Sequence, residues 1–192
     1  MLQRVRTVAL GAAVIVGLGG CSLLEPATTD DPMTAIETCA LGKTWTLDTA
    51  DMAAQVKAQQ GGQGRATEVV IDGSQTFDWS LEGAVELTSD YSVVVSWVPA
   101  ADQLNVVTET HSGTATGIAY ISGEVAIPRD WDPTGLTVAT TATLNDAPVD
   151  PPPFGVGLPD IDDAVGLEMT CDGTTMTTHP RGGVYTQKWT TG

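Results

Sequence analysis

The sequence predicts a mainly β protein, a single antiparallel meander β-barrel with one short helix after its first strand. Alternating apolar and polar residues fill most of the chain beyond residue 65, and short turn-forming sequences separate the alternating runs. A helical period follows only the first strand, so the strand–helix rhythm of a parallel sheet is missing. A closed barrel hides the edges of many short strands, and a β-sandwich is the alternative.

The first 21 residues predict where the protein works. Residues 1–20 combine a basic start, an apolar run over 8–18 and small residues before a cysteine, which is the pattern of an export signal. The stretch Leu18-Gly19-Gly20-Cys21 resembles a bacterial lipobox. That resemblance implies an acylated Cys21 that anchors the mature chain at the extracytoplasmic face of the cell membrane. An ordinary secretory signal, with Cys21 as a spare thiol, is the alternative.

The mature chain divides into a flexible tether over residues 21–38 and a β domain over residues 39–192. The tether is polar and broken by prolines. Removing the leader also removes two arginines, which leaves 24 acidic and 6 basic side chains and a formal charge of 6 − 24 = −18. Such a surface repels polyanions, so we expect no nucleic-acid partner.

The three cysteines fit an exported protein. Once Cys21 is assigned to the lipid, Cys39 and Cys171 remain as a pair that an oxidising compartment can join. Neither lies in a Cys-x-x-Cys motif or beside a histidine, which disfavours a redox or metal role. We therefore predict a structural disulfide that ties the start of the domain to its end.

The individual elements follow from the alternation. Trp45 and Leu47 share one face of the first strand, and a helix is predicted between Asp48 and Gly61. Turns are predicted at Asp72-Gly73 and at Ser122-Gly123, and an irregular segment over 146–163. The further strands are predicted over residues 66–72, 76–81, 85–98, 104–110, 114–121, 124–127, 136–144, 165–171, 174–178 and 184–190.

The two ends of the predicted domain carry a characteristic set of residues. They are Cys39-Ala40-Leu41-Gly42-Lys43-Thr44-Trp45-Thr46-Leu47-Asp48, Met169-Thr170-Cys171-Asp172-Gly173-Thr174-Thr175-Met176 and Lys188-Trp189. This set resembles lipocalin-like envelope lipoproteins of Gram-positive bacteria. The resemblance implies a lipocalin-type barrel in which Trp45 packs at the floor near Lys188. Gly42 and Trp45 lie one residue further apart than in that family's Gly-x-Trp motif.

The sequence holds no recognisable catalytic motif. It lacks the Gly-x-Ser-x-Gly, His-Glu-x-x-His and P-loop patterns, so we predict neither an enzyme nor a cofactor. His111 is predicted as a surface residue beside a turn, with Ser112 on the opposite face of the strand. The acidic run from Asp160 to Glu168 does not fit a twelve-residue calcium loop, and no metal site is predicted.

The aromatic residues give the functional hypothesis. Trp79, Trp97, Tyr120 and Trp131 are candidates to line a pocket, because some barrels of this size hold one small ligand. The sequence therefore predicts a membrane-anchored protein that binds a small apolar or amphipathic ligand. The alternative is a structural or partner-binding envelope module whose barrel is filled by these same side chains.

Overall fold

The computed structural model describes residues 32–62, 68–151 and 166–192. The predicted signal peptide, Cys21 and the tether as far as residue 31 lie outside these ranges, and Met33–Gly192 form one compact unit. The elements in chain order are α1 (Ala35–Ala40), β1 (Lys43–Leu47), α2 (Thr49–Gly62), β2 (Glu68–Trp79), β3 (Ala84–Trp97), β4 (Asn105–Ser122), β5 (Val125–Asp132), β6 (Leu136–Leu144), β7 (Ala147–Val149), β8 (Leu167–Cys171), β9 (Thr175–Pro180) and β10 (Gln187–Thr190).

All ten strands belong to one antiparallel sheet, in the order β3-β2-β1-β10-β9-β8-β5-β4-β6-β7. A further pairing between β3 and β4 closes eight of these strands into a ring. Around the ring the strands follow one another in chain order, while β6 and β7 extend the sheet outside it. The mainly β class, the antiparallel sheet and the helix after the first strand are confirmed.

The sheet divides at the middle of β4. Residues 105–113 of this strand pair with β6, whereas the half beyond Gly113 pairs with β5. The sequence predicts two strands here, over 104–110 and 114–121, and that prediction is wrong. Gly113 has φ +105°, and a Cβ at this position would lie 2.0 Å from the carbonyl oxygen of Gly135. Glycine therefore lets the strand bend and continue.

A second glycine explains why the predicted Asp72-Gly73 turn is also wrong. β2 continues through Gly73, whose φ of +103° only glycine adopts easily, and stays paired with β3 on both sides of it. A Cβ on Gly73 would lie 2.2 Å from the carbonyl oxygen of Asp90. The predicted hairpin at Ser122-Gly123 is confirmed, since Ser122 pairs with Val125 at the start of β5.

Helix α1 begins inside the segment predicted as tether. Thr34 caps it: the Thr34 hydroxyl accepts from the Glu37 amide at 3.3 Å, and the Glu37 carboxylate accepts from the Thr34 amide at 2.7 Å. Cys39, in the same helix, is bonded to Cys171 at the end of β8. The predicted disulfide is thus confirmed, and it holds a helix of six residues against the sheet.

The core on the inner face of the ring is rich in aromatic rings. Phe77 packs edge-on against Trp79, with 5.5 Å between ring centroids, and lies 5.6 Å from Trp189. Trp45 is opposite Phe77 in the β1–β2 register. We call Trp45, Phe77, Trp79 and Trp189 the aromatic cluster. The exposed fraction of each is 4% or less, so all four rings are buried in the core.

Candidate functional site

Five polar side chains of β2, β3 and β4 are buried on the same inner face as the core. Each has an exposed fraction of 7% or less, although buried polar groups are costly unless they are hydrogen-bonded. The strand register brings them together, because Gln75 is opposite Ser89 and Tyr91 is opposite His111. We call the set the polar layer; its members are Gln75 on β2, Ser89 and Tyr91 on β3, and Glu109 and His111 on β4.

Strand periodicity places the polar layer between two apolar regions. The paired residues Phe77 and Leu87, on one side of it, belong to the buried core. On the other side the same strands continue inward with Val93, Val95 and Val107, all at most 1% exposed. Inward positions alternate along each strand, so the five polar residues occupy sites that would otherwise hold core residues.

Glu109 and His111 form a buried pair. The Glu109 Oε1 and His111 Nε2 atoms are 2.6 Å apart, and the two side chains are only 3% and 1% exposed. The residues are two apart on one strand, which puts both side chains on the inner face. A hydrogen bond of this length between a carboxyl group and an imidazole is strong in the protein interior, where the dielectric constant is low.

Tyr91 stacks on this pair. Its ring is nearly parallel to the His111 ring, at 6°, with 4.4 Å between the centroids. Burial raises the pKa of the Tyr91 phenol above its usual range, and the negative charge of Glu109 raises it further. The phenol therefore stays neutral in any physiological medium. Gly73 is the residue opposite Tyr91 on β2, so no side chain crowds Tyr91 from that strand.

Two atoms of the polar layer lack a hydrogen-bond partner within the described ranges. The Gln75 amide nitrogen donates to the Ser89 hydroxyl at 2.9 Å, but Gln75 Oε1 and His111 Nδ1 are unpartnered. Trp79 Nε1, in the neighbouring aromatic cluster, is a third such atom. Buried polar atoms are rarely left unpaired in native proteins. The polar layer therefore has unused hydrogen-bonding capacity at its two unpartnered atoms.

The structure spreads the four predicted pocket residues over different strands and depths. Trp79 is fully buried in the aromatic cluster, Trp97 is half-buried at the end of β3, and Tyr120 is 56% exposed. Trp131 is half-buried and borders a cavity of about 10 Å³, enough for about one water molecule. This cavity is apolar and is also lined by Phe77, Val85, Ile118, Ala119, Pro128 and Leu167.

The prediction of His111 as a surface residue is wrong. It is 1% exposed, because the expected turn at Gly113 is the bend in β4 and the strand is paired on both edges at His111. Ser112 does lie on the opposite face, where its hydroxyl is 2.8 Å from that of Thr137. The pattern that signals the site is Val107, Glu109 and His111 at strand period, which places a carboxylate and an imidazole inside.

An open groove of about 560 Å³ lies on the other side of the ring. His179 lines it, and its Nδ1 donates to the carbonyl oxygen of Tyr185 at 3.1 Å. The other lining residues are Glu124, Val125, Glu168, Met169, Thr170, Thr177 and Thr186. Within the described part of the chain, no three histidine, cysteine, aspartate or glutamate side chains are grouped so as to hold a metal ion.

The residues that suggest a lipocalin-type floor are arranged differently from the family pattern. Trp45 is fully buried, but the ammonium over its ring is that of Lys43, 5.3 Å from the ring centroid. Lys188 instead pairs with Asp48 at 3.0 Å. Hydrogen bonds from the Asp51 amide and from Lys188 hold the pKa of Asp48 below its usual range.

Comparisons of the chain with protein-family models, curated proteins and solved structures find no match. Among the helices that the structure describes, none combines the length and the apolar character needed to cross a bilayer. The N-terminal sequence and the polar layer are therefore the features of this chain that bear on its function.

Proposed function

We propose that this chain is a membrane-anchored extracytoplasmic lipoprotein whose eight-stranded ring is a lipocalin-like barrel that binds one small amphipathic ligand. The observation that carries the proposal is the polar layer: five buried polar side chains, two of them with an unpartnered atom, between two apolar regions of the core. Binding sites for small molecules have this composition, an apolar lining with a few polar groups that orient the ligand.

The energetic cost of burying the polar layer favours a role in ligand binding. Leaving a buried donor or acceptor unpaired lowers the free energy of unfolding by about 1–3 kcal/mol. The polar layer has one such atom on Gln75 and one on His111. Leucine or valine at these positions would avoid this cost. A ligand that pairs with these atoms recovers the loss on binding, and the neighbouring Val93, Val95 and Val107 offer apolar contact to the rest of the ligand.

The aromatic cluster supports a second candidate function. The aromatic cluster is packed ring against ring, and the cavity beside Phe77 and Trp131 has a volume of only about 10 Å³. A core filled in this way suits a structural or partner-binding envelope module. In that case the polar layer stabilises one strand register and binds no ligand.

The membrane anchor makes the first prediction. Replacing Cys21→Ala removes the sulfur that carries the lipid, so the protein should lose its membrane attachment or keep its uncut leader. Cell fractionation and the mass of the N-terminal peptide measure both outcomes. A Cys21→Ala protein that is processed and still sediments with membranes would contradict the lipid anchor. Ser22→Ala, next to the attachment site, is the matched control and should leave the protein anchored.

Native mass spectrometry separates the two functions. The mature chain, with Cys21→Ser to prevent acylation, is exported, purified without detergent and weighed before and after denaturation. We expect an additional mass that is lost on denaturation, because a ligand held in the ring is retained without covalent bonds. A bare chain would favour the filled module. The double variant Glu109→Met/His111→Phe should lose the additional mass, whereas His179→Phe, outside the polar layer, should retain it.

A further inference from the structure

We infer that the polar end of the ligand is a neutral group that accepts a hydrogen bond from His111 Nδ1, namely a hydroxyl or an amide. This inference rests on the proposed function and adds the chemical class of the ligand. It excludes amphiphiles that end in a carboxylate, a phosphate or an ammonium group. The hydrogen positions of the Glu109–His111 pair, the free oxygen of Gln75 and the charge of the interior all favour such a group.

His111 Nδ1 carries a hydrogen. Burial favours a pair with no net charge, because an isolated charge in the interior is expensive. If Glu109 holds the proton, it donates to Nε2 and the single ring hydrogen is on Nδ1. If His111 holds it, both ring nitrogens carry hydrogen. Nδ1 is therefore a donor in both arrangements that carry no net charge, and it lacks an acceptor within the described residues.

Gln75 Oε1 is the other unpartnered atom of the polar layer. Gln75 donates through Nε2 to Ser89, so Oε1 is the free end of the amide and accepts a hydrogen bond. The two unpartnered atoms of the polar layer are thus one donor and one acceptor. A hydroxyl or a primary amide both accepts and donates, whereas a carboxylate or phosphate ester only accepts and an ammonium only donates.

Charge also favours a neutral head group. The Glu109–His111 pair has no net charge, so the negative charge of an anionic head group would stand uncompensated in the interior, which is costly. The mature chain also has a formal charge of −18, which repels anions before they bind. An ammonium would direct its hydrogens at the Nδ1 hydrogen. A neutral head group avoids both conflicts.

Four unbranched probes of ten carbons each test the inference: 1-decanol, decanamide, decanoate and decylammonium. Each is titrated into the mature chain carrying Cys21→Ser, and binding is followed by calorimetry near neutral pH. We expect the alcohol and the amide to bind at least about tenfold more tightly than either ion, since one hydrogen bond is worth about that factor. The double variant Glu109→Met/His111→Phe should bind all four with similar affinity, and His179→Phe should keep the preference.

The outcomes separate the inference from the proposed function. Tighter binding of decanoate or decylammonium, or equal binding of all four probes by the unsubstituted ring, would overturn the neutral head group and leave a ligand-binding barrel in place. Binding of none of the four would count against the proposed function itself. The comparison of the four probes needs no substitution in the polar layer, so a variant that fails to fold does not remove the test.

Discussion

Removing the disulfide should lower the free energy of unfolding by about 5 kcal/mol. Cys39 and Cys171 are 132 residues apart, so the bond closes nearly the whole domain into one loop and strongly restricts the unfolded chain. We expect Cys39→Ala/Cys171→Ala to unfold about 10–20 °C below the unsubstituted protein. Thermal and urea unfolding, followed by tryptophan fluorescence, measure the difference.

Reduction provides the matched control for this prediction. Dithiothreitol should destabilise the unsubstituted protein by the same amount and leave the double variant unchanged, because the variant has no bond to break. Hydrogen exchange should also show early loss of protection in α1, since this six-residue helix is held to β8 by the bond. A double variant as stable as the oxidised protein would show that the cross-link contributes nothing to stability.

The β architecture could be predicted because its signals are local. Alternation along 85–98 placed Tyr91, Val93 and Val95 on one face, and the structure buries all three on β3. The helix after Asp48 was predictable from its cap, and α2 begins at Thr49 as expected. The short helix α1 was missed, although its capping box at Thr34 and Glu37 is a local signal too.

The errors lie at two glycines. A glycine with positive φ suits a hairpin turn and a bend in a long strand equally well, so Gly73 and Gly113 do not reveal by themselves which is formed. Strand β3 determines that both glycines form bends. It runs without a break from Ala84 to Trp97 and pairs with β2 and β4 on both sides of Gly73 and Gly113. That pairing is a tertiary contact, and a window of neighbouring residues does not contain it.

The polar layer escaped prediction for a related reason. Considered singly, Glu109 and His111 look like residues on the solvent-exposed face of a strand. The turn predicted beside them favours the same interpretation. Tyr91, which stacks on His111, comes from a different strand. Only the register between β3 and β4 shows that these side chains share an interior, where each is costly alone.

Replacing one member of the Glu109–His111 pair and keeping the other should lower the free energy of unfolding by about 3–5 kcal/mol. In Glu109→Met the imidazole loses its partner at 2.6 Å, and in His111→Phe the carboxylate is left alone in the core. Both replacements are close in size to the native side chains, so the loss reflects unpaired polar groups more than a cavity. Urea unfolding of each single variant measures the cost.

The double variant Glu109→Met/His111→Phe should be close to the unsubstituted protein in stability, because replacing a whole buried pair by apolar groups removes the desolvation cost together with the attraction. The introduced phenylalanine keeps an aromatic ring for Tyr91 to stack on, where the imidazole now lies at a centroid distance of 4.4 Å. We therefore expect a coupling energy of several kcal/mol in the double-mutant cycle. Additive losses would mean that the two side chains act independently. A stable double variant that no longer discriminates between head groups would show that the pair is kept for recognition, since the fold does not require it.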